Sequence, residues 1–199
     1  TSKTEIIIYG TKQQLSKLNI FSVNVGGCEV RCVDSVRDLG IYMTNTLNFD
    51  QHIQKKCQIA HVQLRNLKGI RKHLTQKSAE SLVHGLVDSH IDFCNGLFTD
   101  IPAYQIDKLQ RVQNHAARVV LNASWEQSST VLLKELHWLP VRARVMFKIL
   151  VTVFRVFKGT APIYLREIFI HSSSKYRLRS HSETNFIIPR RRTKLLIDP

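Results

Sequence analysis

Acidic residues are scarce in this sequence. The 199-residue chain has 15 Asp and Glu against 29 Lys and Arg, which gives a formal net charge of +14. Such an excess repels itself unless an anionic partner neutralises it, and the common partners are nucleic-acid phosphates and acidic lipids. Residues 1–100 hold 12 basic and 9 acidic side chains, whereas residues 101–199 hold 17 and 6. The composition therefore favours a polyanion-binding protein whose basic excess lies in its second half.

Cysteines and long apolar runs are also scarce. Disulfide frameworks are typical of small secreted domains with many cysteines, and the four cysteines here predict reduced thiols in an intracellular protein of the nucleus or cytoplasm. The longest apolar stretch, residues 145–157, is interrupted by Lys148 and Arg155 and is shorter than the roughly 20 residues of a membrane helix. The sequence therefore predicts no membrane span and no membrane partner.

Patterns that indicate an active site or a metal site are missing. No glycine-rich phosphate-binding loop or nucleophile elbow occurs, so we expect no small-molecule substrate. Cys28 and Cys32 have no second Cys or His pair at zinc-ribbon spacing, and His52, Cys57 and His61 lie at offsets that do not converge on one point. We therefore predict no metal site, with small buried thiols and surface imidazoles.

Strand-like alternation fills the first 47 residues, and helical periodicity follows. Strands are predicted at residues 6–9, 20–25, 30–33 and 39–43, with Gly26-Gly27 as a hairpin turn. Helices are predicted at about residues 48–74, 79–98, 104–121, 130–136 and 141–158. The polar, basic stretch at 171–199 predicts a flexible tail. The predicted fold class is α+β, mainly α: a small β-hairpin region, then a helical bundle and the tail.

Basic residues are concentrated on the outer faces of the predicted helices and in the tail. The candidate nucleic-acid-binding residues are Lys55, Lys56, Arg65, Lys68, Arg71, Lys72, Lys108, Arg111, Arg118, Arg190, Arg191 and Arg192. An isolated basic stripe is often only a solvated face, whereas a helix resting on a duplex uses such residues for sequence-independent phosphate contacts. Four aromatic residues are candidates for base stacking, but their surroundings favour the protein core: Trp125, Trp138, Phe154 and Phe157.

Short phrases spread over nearly the whole chain resemble one family. They are KTEIIIYG at residues 3–10, VRDLGI at 36–41, LRNL at 64–67, HIDFCN at 90–95, KLQRVQN at 108–114, LHWLP at 136–140 and GTAP at 159–162. In this order they resemble the end of the palm, the thumb and the C-terminal region of LINE-type, non-long-terminal-repeat retrotransposon reverse transcriptases. The resemblance implies that Lys3 lies near the incoming triphosphate and that Leu39 and Gly40 form a primer grip. It also implies that the helices from about residue 48 form a thumb on an RNA–DNA or RNA duplex.

The same resemblance predicts that this chain is not itself an enzyme. The family's Tyr/Phe-Ala-Asp-Asp motif and its earlier metal-binding Asp precede the block that contains Lys3, and the sequence opens directly on that block. Polymerases use such carboxylates to hold two metal ions, so Mg²⁺ is expected in the full-length parent and no cofactor in this fragment. Two other carboxylate pairs are interpreted as solvated or salt-bridged surface groups: Asp34 with Asp38, and Asp88 with Asp92.

The predicted organisation has four parts. They are a palm remnant with a primer-grip-like hairpin at residues 1–47, a thumb-like helical bundle at 48–122, a C-terminal helical region at 123–170 and a mobile basic tail at 171–199. Two functions stay open. The first is a non-catalytic fragment of an RNA-directed DNA polymerase that retains template-primer binding. The second is an independent basic helical module, derived from a retrotransposon, that binds RNA or a protein partner.

Overall fold

The structure, a computed structural model, describes residues 4–169. Lys3 and the predicted basic tail therefore lie outside the described residues. The chain divides into two compact units, residues 1–146 and 147–199, so the boundary predicted at residue 122 falls inside the first unit. The predicted fold class is confirmed, because the protein is mainly helical and contains two small antiparallel hairpins.

The first β-hairpin closes on two glycines. It follows a short helix, α1 (Lys12–Leu15), and consists of β1 (Ser22–Val25) paired antiparallel with β2 (Cys28–Arg31). Gly26 and Gly27 have φ angles of 58° and 82°. A tight two-residue hairpin turn requires positive φ at both positions, which glycine adopts at no steric cost. The Gly-Gly turn predicted from the sequence is therefore confirmed.

The second β-hairpin packs against the long helix that follows it. β3 (Ser35–Asp38) pairs antiparallel with β4 (Ile41–Thr44), and Ile41 is buried. The backbone N–H of Tyr42 donates a hydrogen bond to Nδ1 of His52 at 3.3 Å. This hydrogen bond joins the second hairpin to the long helix of the core.

Residues 6–9 do not form the predicted strand. Ile6 makes one isolated parallel bridge to Cys32, in which the N–H of Val33 donates to the Ile6 carbonyl at 2.8 Å. Consecutive β-branched residues fit a strand, but a ladder also needs a neighbour with several unpaired backbone groups. β1 and β2 form a two-stranded sheet, and the segment at 6–9 contributes only this single bridge beside it.

The helix predicted from about residue 48 is confirmed. α2 (Asp50–Ile70) continues into a 3₁₀ turn (Arg71–His73). The side-chain oxygen of Asn48 accepts a hydrogen bond from the N–H of Asp50 at 2.8 Å, which satisfies a donor in the first turn. The buried side chains recur at helical spacing: His52, Ile53, Ala60, Leu64 and Leu67. The prediction of surface imidazoles is therefore wrong for His52.

The helix predicted at 79–98 is shorter and irregular. It is replaced by α3 (Gln76–Val83), a π-helical turn (His84–Asp88), α4 (Ser89–Ile91) and a 3₁₀ turn (Asn95–Phe98). α3 begins after Thr75, whose hydroxyl accepts a hydrogen bond from the N–H of Ser78 at 3.1 Å. Cys94 has a φ of 54°, a left-handed conformation that a continuing helix does not adopt. The α-helical part of this segment therefore ends before Cys94, and only the 3₁₀ turn follows it.

Three further helices begin and end near the predicted residues. They are α5 (Ala103–Leu121), α6 (Ser129–Glu135) and α7 (Val141–Phe157). A short α8 (Ile163–Ile168) follows, which the sequence pattern did not predict. α5 ends where Asn122 takes a left-handed conformation with φ of 51°. Asparagine tolerates this conformation better than most residues do, which explains the helix end.

α2 and α5 lie side by side and run in the same direction. At their first turns the Tyr104 hydroxyl donates to Oδ2 of Asp50 at 2.8 Å, and at their last turns Arg71 donates to the carbonyl of Val120 at 2.7 Å. The core of the first unit lies against both helices and includes Ile53, Leu64, Val83, Ile91, Leu109, Val112 and Val120. Burial of each aliphatic side chain of this size stabilises a fold by about 1.5–3 kcal/mol.

Three of the four aromatic residues assigned to the core are exposed instead. Trp125 is 66% exposed, Phe154 59% and Phe157 38%. Trp125 lies in the loop after α5, and Phe154 lies two residues from the buried Val156, which places it on the opposite side of α7. Trp138 packs half-buried against the core of the first unit, as predicted.

Candidate nucleic-acid interface

Basic side chains form a row along α5. Lys108, Arg111, His115 and Arg118 are separated by three, four and three positions, which places them on one side of the helix. At a rise of 1.5 Å per residue, the row spans about 15 Å. Arg111 is exposed, whereas the other three residues are half-buried. Lys108, Arg111 and Arg118 were predicted from the sequence as nucleic-acid-binding residues, whereas His115 was not.

α2 adds two exposed basic residues beside this row. Lys68 lines the same cleft as His115 and Arg118, and Arg65 lies one turn earlier on α2. We define the basic face as Arg65 and Lys68 of α2 together with Lys108, Arg111, His115 and Arg118 of α5. Lys108 also makes an ion pair with Asp50 at 3.6 Å, so its charge is partly neutralised. The strongest free positive charge therefore lies toward the C-terminal ends of the two helices.

A small cleft opens where α2 and α5 end. It has a volume of about 40 Å³ and is lined by Lys68, Arg71, His115, Arg118, Val119, Asn122, Ala123 and Trp125. We call it the Trp125 cleft. At about 10–15 Å³ for each water, the space holds about three water molecules, which suits a small polar group better than an apolar ligand.

Three rings follow one another beside this cleft. The ring centroids of His61 and His115 are 5.8 Å apart, and those of His115 and Trp125 are 5.4 Å apart. The guanidinium of Arg118 lies 5.0 Å from the Trp125 ring centroid, within the range of a cation–π contact. Arg118 also donates to the carbonyl of Gln127 at 3.1 Å, which ties down the loop that carries Trp125. The sequence pattern gave no sign that these rings meet.

Arg71 has a structural role at the end of α5. Its Nε lies 3.0 Å from the carbonyl oxygen of Val119, its Nη2 2.7 Å from that of Val120, and its Nη1 2.7 Å from that of Leu74. The last carbonyls of an α-helix have no partner within the helix, and Arg71 satisfies two of them. We therefore leave Arg71 out of the basic face.

The other predicted basic residues lie apart from the basic face. Lys55 lies over the ring of Tyr42, with Nζ 3.6 Å from the ring centroid, and Lys56 lies 4.6 Å from that of Phe93. These contacts hold both lysines beside the second hairpin rather than on a stripe with Lys68. Lys72 is exposed in the turn after α2. The six basic residues of this helix therefore do not act as one surface, and Arg190, Arg191 and Arg192 lie outside the described residues.

The residues predicted as a primer grip occupy the turn of the second hairpin. Leu39 and Gly40 have φ angles of 45° and 87°, and Leu39 is 88% exposed. A Cβ at Gly40 would meet the ring of Phe93 at 3.4 Å, so the glycine permits a close approach as well as the turn. The structure brings this turn close to the helices, but it does not bring Leu39 or Gly40 to the Trp125 cleft.

Burial and neighbouring charges shift the pKa values of two groups near the basic face. Burial lowers the pKa of His115 below its ordinary value, and the positive charges of His61, Lys68 and Arg118 lower it further. Burial raises the pKa of the Cys57 thiol to about 11, so the thiol stays protonated at neutral pH. The prediction of buried thiols is wrong for Cys28, which is exposed.

Three of the four aspartates considered from the sequence contact polar partners within the protein. Arg144 makes ion pairs with both Asp88, at 3.4 Å, and Asp92, and Nδ1 of His84 lies 2.6 Å from Asp88. Asp34 accepts a hydrogen bond from the side-chain amide of Asn45. The ion pairs with Arg144 agree with the salt-bridged interpretation of Asp88 and Asp92. Among residues 4–169 no group of three or more His, Cys, Asp or Glu side chains is arranged to hold a metal ion.

Comparisons of the chain with protein-family models, with curated proteins and with solved structures find no match. Within the described part of the chain, no helix has the length and apolar character needed to cross a membrane.

Proposed function

We propose that this chain is a non-catalytic, thumb-like part of a LINE-type retrotransposon reverse transcriptase that grips an RNA–DNA or RNA duplex by its phosphates. The observation that carries the proposal is the basic face, in which two parallel helices present Lys and Arg on one surface. The ordered phrases that resemble the family support the same assignment. Asp88 and Asp92 form ion pairs with Arg144, which supports a structural role for these two carboxylates.

The spacing of the basic residues suits a nucleic-acid backbone. Positions three or four apart on one side of a helix rise by about 5 Å, so α5 presents one positive group per turn. Contacts of this kind recognise the charge and the helical shape of the nucleic acid, and they do not depend on its base sequence. Each phosphate that is neutralised releases counterions and contributes about −0.9 to the slope of log K against log salt. Four to five contacts on the basic face would therefore give a steep salt dependence.

The proposed nucleic-acid partner also indicates the cell compartment in which we expect the protein. The four cysteines are free, as is usual for proteins of reducing compartments. We therefore expect the protein in the nucleus or the cytoplasm, where its duplex partner is found. Mg²⁺ belongs to the catalytic site expected in the full-length parent, and we assign it no ligands in this chain.

One observation favours the second function, an independent module with a protein partner. A cavity of about 620 Å³ lies between α5 and α6, and its wall includes Leu133, Trp138, Leu139 and Pro140. Apolar residues in a concave site are typical of peptide or ligand recognition. The basic face has no comparable apolar wall. The thumb function therefore predicts that nucleic acid binds at the basic face, whereas the module function predicts that a protein partner binds at this cavity.

Binding to three labelled polyanions across a salt series tests the proposal. The ligands are an RNA–DNA hybrid, a single strand of the same length and a polyanion without bases. Preference for the hybrid with a steep loss of affinity at higher salt is the expected result. Equal binding to all three would mean that the net charge of +14 explains the association. The thumb function would then be abandoned in favour of the interaction module.

A further inference from the structure

The environment of Trp125 is unusual for a tryptophan. Its side chain is 66% exposed, although tryptophan is highly buried on average. The loop that carries it is nevertheless held in place, because Arg118 donates to the carbonyl of Gln127 and lies 5.0 Å from the indole centroid. An exposed indole on an anchored loop offers a rigid aromatic surface to a partner.

The cleft beside Trp125 contains a donor that the protein does not satisfy. Nε of Arg118 is buried and has no hydrogen-bond partner among the described residues. Arg118 lines the cleft together with Lys68 and Arg71, so an acceptor entering it meets three positively charged side chains. An unsatisfied buried donor costs about 1–3 kcal/mol, so the folded chain leaves the hydrogen bonding of Arg118 incomplete.

The helix ends at the cleft would by themselves repel an anion. The C-termini of α2 and α5 each carry roughly half a negative charge. Arg71 donates hydrogen bonds to the carbonyls of Val119 and Val120, which offsets the charge at the end of α5. Lys68 and Arg118 add two further positive charges, so the sum at the cleft is positive. The cleft is therefore suited to a phosphate.

We infer that the Trp125 cleft binds one unpaired nucleotide, with the base stacked on the indole of Trp125 and the phosphate between Lys68 and Arg118. The inference rests on the proposed function and names the part of the nucleic acid that this end of the basic face recognises. Inside a duplex the base faces are covered by neighbouring pairs, whereas an unpaired base in an overhang leaves its face open to an indole. The cleft lies where α2 and α5 end, next to Arg118, the last residue of the row. The duplex lies along the basic face, and a single-stranded overhang reaches Trp125.

The experiment compares three forms of one labelled RNA–DNA hybrid: blunt, with a three-nucleotide overhang, and with a three-unit abasic overhang. The abasic form has the same phosphates but no bases. The wild-type chain should bind the overhang about tenfold tighter than the blunt form, as expected for stacking of one base. The abasic overhang should give less than a threefold gain.

Two variants assign the effect to the indole. Trp125→Ala should bind the blunt hybrid as the wild type does and lose the preference for the overhang, whereas Trp125→Phe should retain most of it. Equal binding of blunt and overhang forms by the wild type, or a preference that survives Trp125→Ala, would overturn this inference and leave the proposed function standing. Absence of binding to every hybrid form would overturn both.

Discussion

Nη2 of Arg71, just past the end of α2, lies 2.7 Å from the carbonyl oxygen of Val120, near the end of α5. Arg71 also donates to the carbonyls of Val119 and Leu74. This single side chain joins the C-terminal ends of two parallel helices, whose first turns are joined by Tyr104 and Asp50. It therefore fixes the separation of the two helices at the Trp125 cleft.

Replacement of Arg71 by Met should destabilise the first unit. The change leaves carbonyls at the helix ends without their donors, and each such loss costs about 1–3 kcal/mol when the group stays away from water. We expect the free energy of unfolding, measured by urea titration with circular dichroism, to fall by about 3 kcal/mol. Lys72→Met is the matched control and should change it by less than about 0.5 kcal/mol, because Lys72 is exposed. Similar losses for the two variants would contradict the role given to Arg71.

Removal of Arg144 should be costly at neutral pH. Arg144 pairs with Asp88 and Asp92, and Asp88 is almost fully buried. Breaking a buried pair by removing one partner leaves a charge without compensation. Arg144→Met should lower the free energy of unfolding by about 3 kcal/mol at pH 7, and the exposed neighbour Arg142→Met should have little effect.

The penalty for Arg144→Met should shrink as the pH falls. Burial raises the pKa of Asp92, and the positive charge of Arg144 opposes that rise, so the pKa rises further when the arginine is removed. Protonation of the unpaired carboxylate then removes its charge. The difference in unfolding free energy between wild type and variant should therefore decrease from pH 7 to about pH 4.5. A difference that stays constant over this range would show that the carboxylate is not the source of the penalty.

His52 should make stability depend on pH. Burial lowers its pKa to about 4 from an ordinary 6.5. Below pH 6.5 the unfolded chain takes up a proton that the folded chain does not accept until about pH 4, so stability is lost as the pH falls through this window. The loss amounts to about 3 kcal/mol at most.

Replacement of His52 by Gln should flatten this pH dependence. The glutamine cannot titrate, and its side-chain oxygen can still accept the hydrogen bond that the Tyr42 N–H gives to His52. Urea titrations at pH 7, 6, 5 and 4.5 give the slope for each protein. His73→Gln is the control at an exposed position and should keep the wild-type slope. An unchanged slope in His52→Gln would contradict the prediction.

Binding of nucleic acid should strengthen as the pH falls, through His115. Burial and the positive charges of His61, Lys68 and Arg118 keep the pKa of His115 below its ordinary value in the free protein. A phosphate in the Trp125 cleft offsets these charges and raises that pKa, so binding takes up a proton. Anisotropy of a labelled hybrid at constant ionic strength should show tighter binding at pH 6 than at pH 8. His115→Asn should reduce the pH dependence, and an identical dependence in the variant would exclude His115 as its source.

The sequence pattern predicted the elements whose packing depends on local periodicity. α2 was predicted because Ile53, Leu64 and Leu67 recur at helical spacing, and their burial confirms the pattern. The π-helical turn at His84–Asp88 was not predicted. It lies beside the ion pair from Asp88 to Arg144 on α7, a long-range contact that no local pattern contains.

The candidate interface was predictable only in part. Lys68, Arg111 and Arg118 were selected from the sequence as basic residues on outer faces. Lys68 and Arg118 meet beside Trp125 because α2 and α5 run in parallel and end together, an arrangement that no local sequence pattern contains. Arg71 was also selected from the sequence, but its hydrogen bonds to the carbonyls of Val119 and Val120 join two helices and were not indicated by any local pattern.

The central claim is that specific residues of the basic face, rather than net charge, hold the duplex. Lys68→Glu with Arg111→Glu is compared with Lys77→Glu and Lys134→Glu, exposed positions outside the basic face. Both double variants lower the net charge by the same amount, and binding to a labelled RNA–DNA hybrid is measured across a salt series. We predict that the first pair weakens binding more than tenfold and reduces the magnitude of the salt slope by about two, whereas the second pair changes affinity less than threefold. Equal weakening by the two pairs would contradict the claim.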